Sequence, residues 1–327
     1  MSEIKMKKTT KILTFFSNWG TIIVTGVLIV LFSLLMPTTF PTTNNFTTIF
    51  RSICIVSIVA MGMTFALAVN GIDISIGIAA TFACTFFTIM VVWLEFPTLI
   101  AIPLTIIAVL FIGLCNAFLI VKLNVPPLLG TLAVSFIFEG VYLTIAGGGA
   151  VSETMQMPNG MRATGHIDDL FRLIGKEPWI FIITLCCIVF TYIFFEQTKH
   201  GRYMYIVGDN PTVARLSGIN VGLYKTVAYM LCSIFGGIAG LVVCARTGGA
   251  QIGSGTGYLM PAIAATYIGV SFGGKNKANA FGTFFGAILV GLLDNGLTMG
   301  GVPYYSLNIV KGAVLAIAVS LNYMRRK

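Results

Sequence analysis

The sequence predicts an all-α polytopic membrane protein, and three observations carry that prediction. The 327 residues are 57% hydrophobic and only 9% charged. Their mean hydropathy is +0.93, which implies more apolar surface than a soluble domain can bury. The apolar residues also fall in runs long enough to cross a bilayer, which takes about 20 residues of helix.

About ten such transmembrane helices are expected, near residues 19–36, 52–69, 74–92, 98–120, 128–146, 179–195, 224–243, 258–272, 280–299 and 306–324. The eighth is short enough to be re-entrant or broken. Residues 1–18 read as a cytoplasmic tail and residues 19–327 as one transmembrane domain. The run after the tail is long and lacks a small-residue cleavage site, so it reads as a retained first span. Ten spans put both termini on one side. Fourteen of the twenty Lys and Arg fall on that side, five fall opposite, and Lys311 lies inside a span. Because Lys and Arg are retained in the cytoplasm, both termini are expected there. The formal charge of +9 then reflects this bias, and no nucleic-acid partner is expected.

The seven cysteines sit in apolar runs without C-x-x-C spacing and read as small hydrophobes, neither zinc ligands nor a disulfide framework. With His166 and His200 as the only histidines, no paired acid and base and no metal cluster emerges, so no catalytic residue, bound metal or enzyme activity is expected. The stretch GVSFGGKN (269–276) comes close to a phosphate loop, but Asn276 stands where Ser or Thr would hold magnesium. An apolar helix also precedes it where a strand should.

Two hydrophilic connections are longer than a hairpin needs. The external one, 147–178, carries Glu153, Asp168, Asp169 and Glu177; it either meets a partner outside the membrane or is a plain surface loop. In the internal one, 198–223, Asn210 and Pro211 form a helix start, Ala214, Arg215, Leu216 and Ser217 continue it, and Gly218 is placed to end it. The short helix would expose Val213 and Leu216 beside Arg215. It is either a docking element or an interfacial helix on the lipid headgroups.

A charge at mid-bilayer costs roughly 3 kcal/mol, which singles out Asp73, Glu139, Asp294 and Lys311. Asp294 and Lys311 each lie about six residues from the external turn at 300–305, roughly 9 Å below it on antiparallel helices, and are predicted to form an intramembrane ion pair. Asp73 either caps the third span or, with Asn70 and Gly71, breaks the membrane helix so that polar backbone lines a path. Asn116, Glu139, Gln251, Asn295 and Asn308 are further polar candidates for a solute path, with Phe136 and Phe138 as apolar walls. Two of these have a second reading, Asn116 as a helix–helix hydrogen bond and Glu139 as facing a partner subunit. Gly236 with Gly240, Gly282 with Gly286 and Gly296 with Gly300 are spaced to let helices approach, within one subunit or between two.

GRYMYIVGDNPTVARLSGINV (201–221), NGIDISIG (70–77), NVPPLLGTLAVSF (124–136), GYLMPAIAATYIGVSFGGKNKANAFGT (257–283) and DNGLTMGGVP (294–303) together resemble the permease subunits of ribose-, galactose- and xylose-type ABC importers, in order and over nearly the whole chain. The resemblance implies a ten-helix permease of the bacterial inner membrane that pairs with a second copy or a sister permease. A separate ABC ATPase subunit would use ATP and Mg, with no cofactor bound by this chain, and a periplasmic solute-binding protein would deliver the solute. It maps the family's coupling helix onto Gly208, Asp209, Asn210, Pro211, Ala214, Arg215, Leu216, Ser217 and Gly218, between the sixth and seventh spans. Asn70, Val270 and Asp294 depart from the family pattern, which bears on the solute. A monosaccharide is expected, with a nucleoside or a signalling furanose as the alternative within the class and an ion-coupled secondary transporter as the alternative outside it.

Overall fold

Backbone that crosses lipid must satisfy its own hydrogen bonds, and the computed structural model of the protein is helical almost throughout. It describes residues 20–270, 272, 277–303, 306, 307, 309–313 and 316. The 1–18 tail, most of the turn at 273–276, Asn308 and the end of the tenth span lie outside the described residues.

After α1 (Gly20–Leu35), the chain forms α2 (Thr43–Ala68), α3 (Ser75–Thr88), α4 (Thr98–Ala117) and α5 (Pro127–Ile145). A short strand β1 (Val151–Ser152) and helix α6 (Asp169–Leu173) lead to α7 (Trp179–Tyr192). Two short helices follow, α8 (Lys199–Asp209) and α9 (Pro211–Leu216), then the long α10 (Val221–Thr247), β2 (Gly249–Ala250), α11 (Leu259–Val270) and α12 (Ala280–Met299). Helices α3, α4 and α7 continue as π-helical turns at Ile89–Trp93, Phe118–Lys122 and Ile193–Gln197. With these extensions, seven helices among the described residues are long and apolar enough to cross a membrane. Helices α1 and α11 border residues outside the described set, within which they span Gly20–Leu35 and Leu259–Val270.

The helices are not equivalent. In α3, 94% of the most apolar window is buried inside the protein, against 33% in α5 and α7, so α2, α3 and α10 form the centre while α4, α5 and α7 leave a face uncovered by this chain. The centre is held by small residues. On α10, a methyl group at Gly236 would stand 3.0 Å from the Ile76 carbonyl oxygen, and one at Gly240 would overlap the Ala80 carbonyl. Helix α12 approaches α11 in the same way, with Gly282 on Gly269 and Gly286 on Ala265. These two glycine pairs therefore serve packing within one chain; Gly296 instead lies under the Phe32 ring of α1, and Gly300 meets only its own helix.

Two sequence-based limits need correction. Helix α2 begins at Thr43 rather than 52, because Thr42 accepts a hydrogen bond from Asn45 N (3.3 Å) and the Thr47 and Thr48 hydroxyls bond back to the carbonyls of Thr43 and Asn44 (2.9 Å each). Polar residues that hide the apolar signal are thus satisfied within the helix. Helix α10 runs from an Asn220 cap to Gly248, whose φ of +70° ends it, and so exceeds the expected 224–243 at both ends.

The connection 147–178 is folded onto the body. β1 pairs antiparallel with β2, Phe171 stacks on Phe87 at 4.2 Å, and Arg172 Nη2 binds Glu153 Oε1 at 2.8 Å. Arg51 binds Glu177 through two hydrogen bonds and holds its carboxyl below the ordinary carboxylate range.

The close α3–α10 contact generates a first prediction. Gly240→Val should cost about 1–3 kcal/mol by overpacking, visible as a lower melting temperature in detergent. Gly140→Val, where nothing lies within 4 Å, should leave it unchanged.

Candidate functional site

Two neighbouring features of the described residues are candidates for function: the α8–α9 element and a buried polar network beneath it. Thr198 opens α8 by accepting from Gly201 N (3.2 Å). Asn210 then caps α9, its Oδ1 accepting from Thr212 N (3.0 Å) and Val213 N (3.1 Å), with Pro211 in the first turn. Gly218, at φ +77°, turns the chain out of the helix, and Asn220 caps α10 by accepting from Leu223 N (3.0 Å). On α9 only Ala214 is buried; Val213 is 49% and Leu216 84% exposed, beside an exposed Arg215. The result is a short capped helix that presents an apolar and a cationic side chain.

Helix α8 is an element that sequence reasoning missed. Gly208 and Asp209, assigned with the short helix, instead end α8. Gly201, Met204 and Val207 are its buried residues, a stripe at spacing of three that could have announced it. It is fixed at four places. Gly208 lies against the Ala68 carbonyl at the α2–α3 reversal, with no room for a side chain. His200 Nδ1 meets Tyr224 Oη at 3.0 Å, Tyr205 Oη donates to the Ala278 carbonyl at 2.6 Å, and Asp209 Oδ2 lies 3.3 Å from Lys277 Nζ.

The α2–α3 reversal itself is irregular chain. Asn70 is exposed at φ +57°, and Gly71 N donates to the Ala66 carbonyl (2.9 Å) while lying so close to the Tyr229 hydroxyl that a side chain would collide. Asp73 is wholly buried, its Oδ1 accepting from Ser75 N (2.9 Å) and Ser75 Oγ (2.5 Å). Asn116, also wholly buried, reaches across from α4 to donate to Ser75 Oγ (2.6 Å) and Asp73 Oδ1 (3.4 Å). From α5, Thr131 Oγ1 accepts from Ile74 N (3.2 Å). The network ties α3 to α4 and α5. Asp73 Oδ2 and Asn116 Oδ1 have no partner in hydrogen-bonding geometry among the described residues. Neither side chain reaches a surface in this conformation.

The remaining predicted residues are dispersed. Phe136 and Phe138 cannot wall one cavity, since residues two apart on a helix point to opposite sides. Phe136 is 65% exposed, whereas Phe138 is buried edge-on against Phe82 (5.5 Å). Glu139 is half-buried on α5, and Gln251 is exposed after β2. Asn295 Nδ2 donates to Asn45 Oδ1 on α2 (3.0 Å). Lys311 Nζ lies 3.0 Å from Asp294 Oδ1. Among the described residues no three His, Cys, Asp or Glu side chains converge to hold a metal.

The geometry at Asp73 is testable. Asp73→Asn retains an acceptor for both Ser75 donors and should fold as the parent does. Asp73→Ala leaves those donors buried and unpaired, at a cost of about 1–3 kcal/mol, read as a drop in melting temperature. Equal damage from both would show that the charge itself is required.

Residues 45–319 match the family model described as branched-chain amino acid transport system / permease component. Over 90% of its length the chain is 33% identical to the ribose import permease protein RbsC of Escherichia coli (strain K12), covering 89% of that protein. It is 30% identical to the D-allose transport system permease protein AlsC of the same strain, with 100% of this chain and 98% of that one aligned. To the galactose/methyl galactoside import permease protein MglC of that strain it is also 30% identical, over 96% and 97%. No solved structure matches. The chain is therefore a multi-pass membrane protein that belongs to the family of branched-chain amino acid transport system permease components.

Proposed function

We propose that the chain is the membrane-spanning subunit of a monosaccharide importer of the bacterial inner membrane, driven by a separate ABC ATPase and supplied by a periplasmic solute-binding protein. The names of its relatives, which are permeases for ribose, allose and galactose, support the solute class. The observation that carries the reading is α9, a helix capped at both ends that holds Leu216 and Val213 out from the body between the sixth and seventh spans. Ten spans with both termini in the cytoplasm put this helix on the side of the ATPase. An exposed leucine beside an arginine suits a groove on a partner better than it suits water.

Helix α8 then gives α9 its mechanical reach. A displacement of α9 is passed through α8 to the α2–α3 reversal, where Gly208 meets Ala68 backbone to backbone, and on to the network that ties α3 to α4 and α5. Interfaces packed this closely shift as units and do not deform. Asn70, Gly71, Asp73, Asn116, Glu139, Gln251, Asn295 and Asn308 remain the candidates for the solute path, which forms in other conformations or against a second permease. Asp294 and Lys311 act as a staple between the last two helices.

Two substitutions separate attachment from transmission. Leu216→Asp should weaken binding of the ATPase by about 2 kcal/mol, roughly thirty-fold, so that the ATPase no longer co-purifies and uptake of the sugar stops. Gly208→Ala should keep the ATPase bound and hydrolysing while uptake falls at least tenfold. Solute uptake driven by an ion gradient in vesicles holding this chain alone would overturn the reading.

A further inference from the structure

A groove of about 580 Å³ runs along the outside of the bundle between α4 and α5. Its walls are Phe111, Leu114 and Phe118 of α4 and its π-helical turn, and Val134 and Ile137 of α5; four of these five are 44–60% exposed. One end closes at Lys122 and Thr226. A methyl group added at Gly222 of α10 would stand 3.0 Å from the Val121 side chain, so α10 meets the end of α4 at this mouth, and half-buried Lys225 is the residue next to Thr226 on that helix. Neither Lys122 nor Lys225 has a carboxylate partner among the described residues.

We propose that this groove is a binding site for an anionic phospholipid, with an acyl chain between α4 and α5 and the headgroup phosphate on Lys122 and Lys225. Length supports the assignment. From Phe111 to Lys122 the helix rises roughly 16 Å at about 1.5 Å per residue, which is one leaflet of a hydrocarbon core about 30 Å thick. Chemistry supports it as well, since the wall is apolar along its depth and cationic only at the end that reaches headgroup level. A zwitterionic lipid would fill the groove but gain little from two unpaired ammonium groups, whereas an anionic one is favoured about fivefold per lysine. The site rests on the orientation proposed above, which puts the α4–α5 turn in the cytoplasmic leaflet, where negative surface potential recruits basic residues.

The test uses the full chain in lipid nanodiscs with phosphatidylglycerol or phosphatidylcholine probes that carry a photoreactive diazirine in the acyl chain. Phosphatidylglycerol should label peptides containing Phe111, Phe118 and Ile137 at least about fivefold more than phosphatidylcholine does. Lys122→Gln with Lys225→Gln should abolish the preference, and Lys122→Arg with Lys225→Arg should keep it. Equal labelling by the two lipids in the parent chain overturns the proposal, as do cross-links from the groove to a second copy or to residues 1–19 in place of lipid. If the glutamine variant fails to fold, the comparison of the two lipids in the parent decides alone. Nanodiscs present anionic lipid on both faces, so a wrong orientation does not mimic an absent site.

Discussion

The structure depends on one constraint: a chain that reverses between two packed helices must find partners for the backbone groups it leaves out of helix. Between Ala68 and Ser75 this is met locally. Asn70 N and Gly71 N return to the carbonyls of α2, Asp73 supplies an acceptor for the start of α3, and Thr131 accepts from Ile74 N. Unsatisfied backbone groups in lipid would each cost several kcal/mol, so the reversal exists only because α4, α5 and α10 enclose it. That enclosure places a rigid, polar turn where α8 can rest on it. The central position of α3 follows from the same geometry, since the helix that leaves the turn is covered on every side.

Membrane helices pack without a hydrophobic drive between them, so contact area and small residues decide which pairs are close. Helices α3 and α10 run parallel: Ile76 faces Gly236, Ala80 faces Gly240, and further along Thr88 Oγ1 meets Cys244 Sγ at 3.2 Å. At Gly236 and Gly240, helix α10 lies directly against carbonyl groups of α3. The peripheral helices α4 and α5 lack such a stripe toward each other, which leaves the groove between them.

Much of this was legible in the sequence, and the boundary of legibility is physical. Apolar runs mark the hydrophobic body of each helix, so spans such as 98–120 and 280–299 match closely. Ends are hidden where polar residues satisfy themselves within the helix, as Thr42, Thr47 and Thr48 do in α2. The cap at Asn210 and the stop at Gly218 are local chemistry and could be read directly. The facing of Asp294 and Lys311 followed from counting equal depths from one turn. Helix α8 was missed because its residues are polar overall and its apolar stripe is only three residues deep. The Asp73–Ser75–Asn116 network joins residues 43 positions apart in sequence; no local pattern announces which face of α4 meets α3.

A helix of six residues such as α9 has no stability of its own, since nucleation alone outweighs what so few hydrogen bonds return. Its shape must come from its surroundings, and the sequence supplies them densely. Thr198, Asn210 and Asn220 each cap a helix with a side-chain oxygen that accepts from backbone N–H, Gly218 takes the left-handed turn, and Ala214 is the single buried contact. Capping each helix in succession fixes the direction of the next, so α8, α9 and the start of α10 behave as one bent rod. Leu216 can therefore stay 84% exposed without the helix collapsing onto the bundle to hide it. In the proposed transmission, rigidity at α9 and close backbone contact at Gly208 are two ends of the same requirement: a push on an exposed side chain is useful only if nothing between it and the membrane core can yield.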